Sequence, residues 1–339
     1  MTPRQKLEQL IDLFIPDLRS AFLAAIQDIV DNVILNSVIM AIQDGDVEAA
    51  FRAIGYSPAA MRPLTAAIER AFEMGGVMTG NTFPKYLNTY SGRAVFRFDV
   101  RNIRAEAWLR DKSSTLVGRI EDETRTNVRT ALIVGMQDGR NPRNVALDIV
   151  GRIDKASGRR VGGIIGLTEQ QDYWVRGTRT KLIQLDKSYF NLELRDKRFD
   201  RTVAAAIRDG KPLTTDVVDK LVNRYKDNAL KYRGDTIART EAMQSLNASE
   251  WEATKQAVAL GATKTDAVQR EWDSAGDKRV RFSHSRLDGQ RVGLDTPFTA
   301  PSGARMMHPG DTSLGASADE VVGCRCRVRT VIDWLTDLD

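Results

Sequence analysis

The sequence predicts a mainly α-helical protein, in which elongated N-terminal and central helical portions are followed by a small α+β C-terminal domain. Apolar residues recur at helical spacing over most of the first 260 residues. After Gly261 this periodicity gives way to short strand-like pieces separated by Gly, Pro and Asp turns. We therefore divide the chain into an N-terminal helical region (1–95), a central basic helical region (96–260) and a small α+β domain (261–339).

The N-terminal region begins with a long amphipathic stripe. Apolar residues follow i, i+3, i+4 spacing from Leu7 to Ile34, and Pro16 within the stripe is predicted to kink or break the helix. The predicted elements that follow are helices over Val47 to Ile54 and Pro63 to Met74, a long connection over Gly75 to Gly92, and a short strand over Ala94 to Phe98.

No membrane span or signal peptide is predicted. The most apolar stretch, Ala21 to Ile42, contains Asp28 and Asp31, so we interpret it as a buried helix rather than a membrane segment. Two cysteines are too few for a disulfide framework, which favours folding in a reducing cytosol.

The central region is predicted to consist of capped helices. Asp99 or Asn102 is expected to cap a long helix that ends before Gly139, and Asn141 is expected to start the next one. Thr168 followed by Gln171 has the pattern of a capping box. Two further helices are predicted, from Thr215 to Tyr232 and from Asp235 to Leu260.

Excess positive charge is confined to the middle of the chain. Residues 101–245 carry 29 basic and 20 acidic side chains, or +9, whereas the segments on either side carry −2 each. This balance is compatible with a polyanion such as DNA, with an acidic protein surface, or with a well-solvated helical surface. No basic groove interleaved with aromatic residues is apparent in the sequence.

All histidines and cysteines lie close together in the sequence. His284, His308, Cys324 and Cys326 fall within 43 residues near the C-terminus. Two imidazoles and two thiolates are the donor set of a tetrahedral structural zinc site, although the C-x-C spacing is tighter than in zinc fingers. The segment Cys324 to Arg329 alternates like a strand that would place both sulfurs on one face.

Three other interpretations of this cluster stay open at this stage. The cysteines could be small buried core residues, or they could form a strained disulfide. The histidines could be hydrogen-bonding groups at the surface or in the core.

The chain is predicted not to be an enzyme. The H-x-E and C-x-x-C pattern of zinc deaminases, H-E-x-x-H, G-x-S-x-G and the Walker motif are all missing. A metal-dependent nuclease site built from His284, Asp273, Asp277 and Asp288 remains an alternative, although carboxylates in such turns are usually turn formers.

The order of motifs in the C-terminal half resembles one known family. The chain reads Ala238-Arg239-Thr240-Glu241 on a helix, then Trp272-Asp273, His284, Leu287-Asp288-Gly289, Pro309-Gly310-Asp311 and Cys324-Arg325-Cys326. This sequence of elements over residues 235–330 is similar to the phage Mu-type head-morphogenesis, or minor head protein, family. One departure is Gly323, where the family often has a polar residue.

The resemblance implies a structural protein of a tailed bacteriophage that acts at the portal vertex in head morphogenesis. It implies a virion component assembled in the host cytoplasm, present in several copies, with the portal protein and other head proteins as partners. A role in DNA packaging or ejection, with non-specific DNA contact, agrees with the basic middle region. The alternative from another class is a metal-dependent nuclease or a virion-delivered effector.

Overall fold

The structure, a computed structural model, describes residues 3–83, 86–89 and 92–333. Over these residues it is mainly helical with four small antiparallel sheets, two of which lie in the C-terminal part, so the predicted fold class is confirmed. The helices are α1 (Pro3–Asp31), α2 (Leu35–Gln43), α3 (Val47–Ile54), α4 (Arg62–Gly80), α5 (Ile103–Gln137), α6 (Pro142–Val150), α7 (Glu169–Ile183), α8 (Asp200–Asp209), α9 (Thr215–Ala259), α10 (Phe282–Ser285) and α11 (Ala318–Val321).

The strands pair in four antiparallel sheets among the described residues. The pairs are β1 (Tyr86–Thr89) with β2 (Gly92–Val95), β3 (Arg152–Ile153) with β4 (Arg160–Val161), and β7 (Phe298–Thr299) with β8 (Arg305–Met306); the three-stranded sheet contains β5 (Val268–Asp273), β6 (Arg291–Gly293) and β9 (Arg327–Ile332).

The chain forms two compact units. The first contains the described residues of 1–20, 64–113 and 235–339, and the second contains residues 21–63 and 114–234. This division groups segments that are distant in the sequence. The boundaries predicted from sequence, after residues 95 and 260, stay a prediction.

The second unit is built from capped helices around an apolar core. Thr168 and Gln171 form the predicted capping box, with each side chain 3.1 Å from the other residue's backbone nitrogen. Asn141 accepts a hydrogen bond from Arg143 N at 2.9 Å and starts α6 as predicted. The buried Arg233 donates to the carbonyl oxygen of Gly166 at 2.6 Å and pairs with Glu123.

The first unit contains the three-stranded sheet, and this sheet positions the His/Cys cluster. Strand β5 lies in the middle, antiparallel to β6 on one side and to β9 on the other, with Trp272 opposite Val328. Trp272 and Val328 belong to a buried apolar cluster that also includes both cysteines. The members of that cluster are Trp272, Leu287, Phe298, Ala300, Met306, Val321, Cys324, Cys326 and Val328.

Three predictions about helix and strand boundaries were wrong. Pro16 does not break α1, because the burial of Phe14 and Leu18 on one face outweighs the lost backbone hydrogen bond. The two helices predicted between Thr215 and Leu260 are the single helix α9. The predicted connection after Gly75 is helical up to Gly80, because α4 continues to bury residues there.

The strand predicted over Ala94 to Phe98 is also misplaced. Strand β2 covers Gly92–Val95 and pairs with β1, and the side chain of Phe96 beyond it packs against the ring of Phe83 at 5.4 Å.

Within the described residues, no single helix combines the length and apolarity needed to cross a membrane. The segments Leu7–Asp31 and Leu35–Gln43 reach those values only together, and they are bent by 69° at the break between them.

Candidate metal centre

The two cysteines lie in the extended segment that leads into β9. Cys324, Cys326 and Val328 alternate along this segment and are each at most 3% exposed. The predicted strand begins later than expected, at Arg327 rather than Cys324, because ladder pairing with β5 starts at Asp273. The alternation nevertheless extends back through the cysteines, so both sulfurs are buried on one side as predicted.

The arginines that alternate with these buried residues are held on the opposite side by carboxylates. Arg325 makes a bidentate ion pair with Asp277 at 2.6 and 2.5 Å. Arg327 pairs with Asp273 at 2.5 Å, and Arg329 pairs with Glu271. These pairs fix the alternation of the segment, because each one anchors the residue that follows a buried side chain.

His284 faces both sulfurs. The ring lies on the short helix α10 and is 1% exposed. Its Nδ1 is 3.5 Å from Cys324 Sγ and 3.6 Å from Cys326 Sγ. The three ligand atoms of this group lie within 4.8 Å of one another, so His284, Cys324 and Cys326 could hold a metal ion.

The other nitrogen of the His284 ring contacts a buried carboxylate. Nε2 is 3.0 Å from Glu320 Oε2. The hydroxyls of Ser283 and Ser302 donate to Glu320 at 2.9 and 2.7 Å. Burial acts to raise the pKa of Glu320, but these hydrogen bonds and His284 lower it overall. The charged carboxylate therefore orients the imidazole with Nδ1 toward the sulfurs, as partners of metal-bound histidines do.

The two thiols differ in acidity. The hydrogen bond with Cys324 lowers the pKa of Cys326. The same bond, together with burial, raises the pKa of Cys324. Both residues are free thiols, so the structure does not contain the disulfide considered above. A pair that shares one proton readily presents a thiolate, which is the form that binds metals.

His308 does not join this group. Its ring lies 6.1 Å from the ring of Trp251, and its Nδ1 is 3.2 Å from the carbonyl oxygen of Pro309. Burial lowers the pKa of His308 below its usual value. Of the four residues predicted from sequence, the structure therefore brings together His284, Cys324 and Cys326 and places His308 against an aromatic residue of α9.

The carboxylates of the alternative nuclease site are engaged elsewhere. Asp273 and Asp277 pair with arginines as described above. Asp288 accepts a hydrogen bond from the backbone nitrogen of Ser274 at 2.8 Å. None of them belongs to the potential metal-binding group found among the described residues.

Three polar residues of α9, two of them in the Ala238-Arg239-Thr240-Glu241 motif, make contacts that the sequence did not identify. Asn247 on α9 hydrogen-bonds to the backbone of Cys326, and Thr240 accepts a hydrogen bond from Gly323 N at 3.0 Å. Glu241, in the same motif, pairs with Lys112 at 2.9 Å. The only indication of their role in the sequence was their position in or shortly after the Ala238-Arg239-Thr240-Glu241 motif.

The fold and the site define a helical protein whose small α+β domain contains a buried Cys-x-Cys and histidine group. Residues 197–329 match the family model described as "Phage Mu protein F like protein". This match confirms the predicted resemblance over residues 197–329, so this part of the chain is similar to a protein of phage Mu. No solved structure matches the chain significantly.

A curated relative corrects the prediction that the chain is not an enzyme. The chain is 31% identical over 104 residues to the NAD(+)--arginine ADP-ribosyltransferase EFV of Enterococcus faecalis (strain ATCC 700802 / V583). The match covers 30% of this chain and 19% of that protein. The chain therefore spans about a fifth of the length of this relative, which is named as an enzyme.

Proposed function

We propose that the chain is a structural minor head protein of a tailed bacteriophage that acts at the portal vertex during head morphogenesis. The observation that carries this proposal is the family match over residues 197–329, which includes β5, β6, the first half of β9 and the His/Cys group. In this function the protein is assembled in the host cytoplasm, occurs in several copies per virion and has the portal protein and other head proteins as partners.

The metal centre is proposed to bind zinc and to hold the C-terminal domain folded. Zn–S bonds of about 2.3 Å and Zn–N bonds of about 2.0 Å at a tetrahedral angle separate nitrogen and sulfur by about 3.5 Å. His284 Nδ1 lies 3.5 and 3.6 Å from the two sulfurs, so a single ion fits between the three residues. The group is buried, which favours a structural role for the ion.

The number of protein ligands is a separate question, because His308 was predicted as the fourth. X-ray absorption at the zinc edge distinguishes two sulfurs with one imidazole from two sulfurs with two imidazoles. His308→Gln should leave the zinc content unchanged if the three-residue group is sufficient. Loss of zinc in that variant would support the four-ligand prediction instead.

The basic region is proposed to contact DNA without sequence preference. This proposal is supported by the net charge of +9 over residues 101–245. The intact protein should be retained on immobilised duplex DNA at low salt and released as salt rises. Absence of retention would reassign this charge to an acidic protein partner.

Sedimentation of phage heads tests the main proposal. Heads assembled with and without the portal protein are separated on gradients, and the chain is quantified in each fraction. A minor head protein of the portal vertex should co-sediment with portal-containing heads and should be depleted from heads that lack a portal. Equal amounts in both, or none in either, would contradict the proposal.

The similarity to the ADP-ribosyltransferase supports a second candidate function. In this function the chain also transfers ADP-ribose from NAD⁺ to an arginine and releases nicotinamide. The intact protein is incubated with labelled NAD⁺ and an arginine-containing acceptor peptide. Transfer of label to the peptide would establish this activity and would make the chain a candidate for an effector delivered with the virion. Absence of transfer would reject this second candidate.

A further inference from the structure

An aromatic groove lies beside α7 in the second unit. The groove has a volume of about 700 Å³, and its lining includes Tyr173 and Trp174 from α7 and Tyr225 and Tyr232 from α9. Tyr173 is 64% exposed and Tyr232 is 50% exposed. The two exposed rings give the groove flat apolar faces on which a planar ligand can stack.

A second cavity adjoins the groove and contains several cationic side chains. It has a volume of about 340 Å³ and shares Arg176 and Thr180 with the aromatic groove. Its lining also contains Arg140, Arg179 and Lys226. The two cavities therefore meet along one side of α7, with flat rings in one and cationic groups in the other.

The lysine of the second cavity is buried. Lys226 is 3% exposed, and its Nζ donates to the carbonyl oxygen of Asp148 at 3.2 Å and lies 3.7 Å from a carboxylate oxygen of the same residue. An ammonium group has three N–H bonds, so these contacts leave donor capacity facing the cavity.

Carboxylates in the second cavity are held by its cations. Arg140 pairs with Asp148 at 2.5 Å, and Arg176 pairs with Asp172 at 3.1 Å. Asp138 also lines the cavity, so four cationic and three acidic residues are present. Arg179 pairs with Asp219 at 2.6 Å, so carboxylates hold the arginines of the cavity in position.

We propose that the two cavities together bind a nucleotide unit of a single-stranded nucleic acid, with a base against Tyr173 and Trp174 and a phosphate beside Arg179 and Lys226. This proposal rests on the proposed contact of the basic region with DNA. It adds where the nucleic acid binds and that the bound strand is single. Residues 114–234 carry 24 basic and 16 acidic side chains, which favours a polyanion over a peptide as the occupant.

The exposed rings explain the preference for a single strand. Bases in a duplex are stacked on one another and present only their edges, whereas unpaired bases can stack on aromatic side chains. The groove was not apparent in the sequence because its aromatic residues come from two helices that are about 50 residues apart.

Fluorescence anisotropy of labelled oligo-dT with the intact protein tests the proposal. Oligo-dT should bind more tightly than a duplex of equal length, and Tyr173→Ala should weaken its binding by about fivefold or more. Tyr173→Phe keeps the ring and should bind like the unchanged protein. Arg179→Gln should weaken binding and make the salt dependence shallower.

Two glycine variants provide a matched steric test. A Cβ atom added at Gly177, which lines the groove, meets nothing within 4 Å, and the same is true at Gly118 in α5 outside it. Gly177→Leu should therefore fill the groove and abolish the preference for oligo-dT, while Gly118→Leu should leave it intact. Circular dichroism verifies that both variants fold.

The outcomes separate this proposal from the proposed function. Unchanged oligo-dT affinity in Tyr173→Ala and Gly177→Leu, or equal binding of duplex and single strand, would overturn the nucleotide site. Either result would leave the sedimentation of the protein with phage heads unaffected. Displacement of oligo-dT by micromolar AMP or NAD⁺ would overturn the assignment to a strand and identify a free nucleotide as the ligand.

Discussion

Asn247 on α9 fixes the backbone of the segment that carries Cys326. Its Nδ2 donates to the carbonyl oxygen of Cys326 at 3.1 Å, and its Oδ1 accepts from Val328 N at 2.9 Å. A third bond joins Nδ2 to the carbonyl oxygen of Pro309 at 3.1 Å. One buried amide therefore aligns the cysteine segment with the turn that contains His308.

Asn247→Ala is predicted to lower the free energy of unfolding by about 3 kcal/mol, because it leaves buried backbone groups without partners. Chemical denaturation measures the change. Asn144→Ala removes an exposed amide and serves as the control, with an expected change below about 0.5 kcal/mol. Equal stability of the two variants would show that the Asn247 bonds contribute nothing.

Removal of zinc is predicted to unfold the α+β domain. Cys324→Ser and treatment with a chelator should each lower the melting temperature, because binding of the ion and folding of the domain are coupled. Elemental analysis should find one zinc per chain before treatment. A metal-free protein whose melting ignores the chelator would mean that His284, Cys324 and Cys326 are ordinary core residues.

Glu320 is predicted to tune the zinc affinity through His284. Glu320→Gln should weaken zinc binding by about 10-fold to 100-fold, because the partner of a metal-bound imidazole sets its orientation and basicity. Competition with a chromophoric chelator measures the affinity. Asp319→Asn is the matched control, since Asp319 is the neighbouring residue on α11 and is exposed. Similar affinities in both variants would contradict this role of Glu320.

Arg270 is predicted to be a structural residue of the domain core. It is fully buried, donates to the carbonyl oxygens of Met307, Gly293 and Thr296, and lies 5.3 Å from the ring of Phe298.

Arg270→Lys should lower the free energy of unfolding by about 2–4 kcal/mol, because one ammonium cannot reach carbonyl groups that a planar guanidinium bridges. Thermal and chemical denaturation measure this loss. Arg305→Lys, at an exposed position of β8, should change stability little. Arg270→Lys with the stability of the unchanged protein would rule out this structural role.

Glu250 is predicted to make stability depend on pH. Burial raises the pKa of Glu250 from 4.5 to about 7, although the backbone nitrogen of Thr330 donates to its carboxylate at 2.8 Å. The folded state therefore binds the proton more tightly than the unfolded chain. The resulting stabilisation is complete below about pH 4.5 and is lost as the pH rises through about 7.

Glu250→Gln should remove this decline in stability between pH 4.5 and 7. Denaturation midpoints at a series of pH values provide the measurement. Glu73→Gln, at an exposed site of α4, should retain the decline. Parallel pH profiles of Glu250→Gln and the unchanged protein would show that Glu250 titrates normally.

Features with local causes could be predicted from the sequence. The bounds of α3, the cap at Asn141 and the capping box at Thr168 all follow from side chains that act within four residues of one another. The alternation around Cys324 was predicted for the same reason, although the start of β9 was not, because strand pairing depends on a distant partner.

Features with long-range causes could not be predicted. The histidine that meets the cysteines is selected by the packing of α10, and nothing local distinguishes His284 from His308. The role of Glu320 depends on a contact with a residue 36 positions away. Tyr173 lines a groove only together with Tyr225, which lies on another helix, so the groove could not be predicted from either residue alone.

The first unit is built from three segments that are distant in the sequence, and this arrangement affects the order in which the unit folds. Its three segments are separated by long stretches that belong to the second unit, and the central strand β5 pairs with β9 about 60 residues later. Contacts of such sequence separation must overcome a large loop-closure entropy before they form, which makes folding slow. During synthesis the cysteine segment cannot pack against β5 until β9 has left the ribosome. The apolar residues of the first unit therefore need protection from aggregation until then.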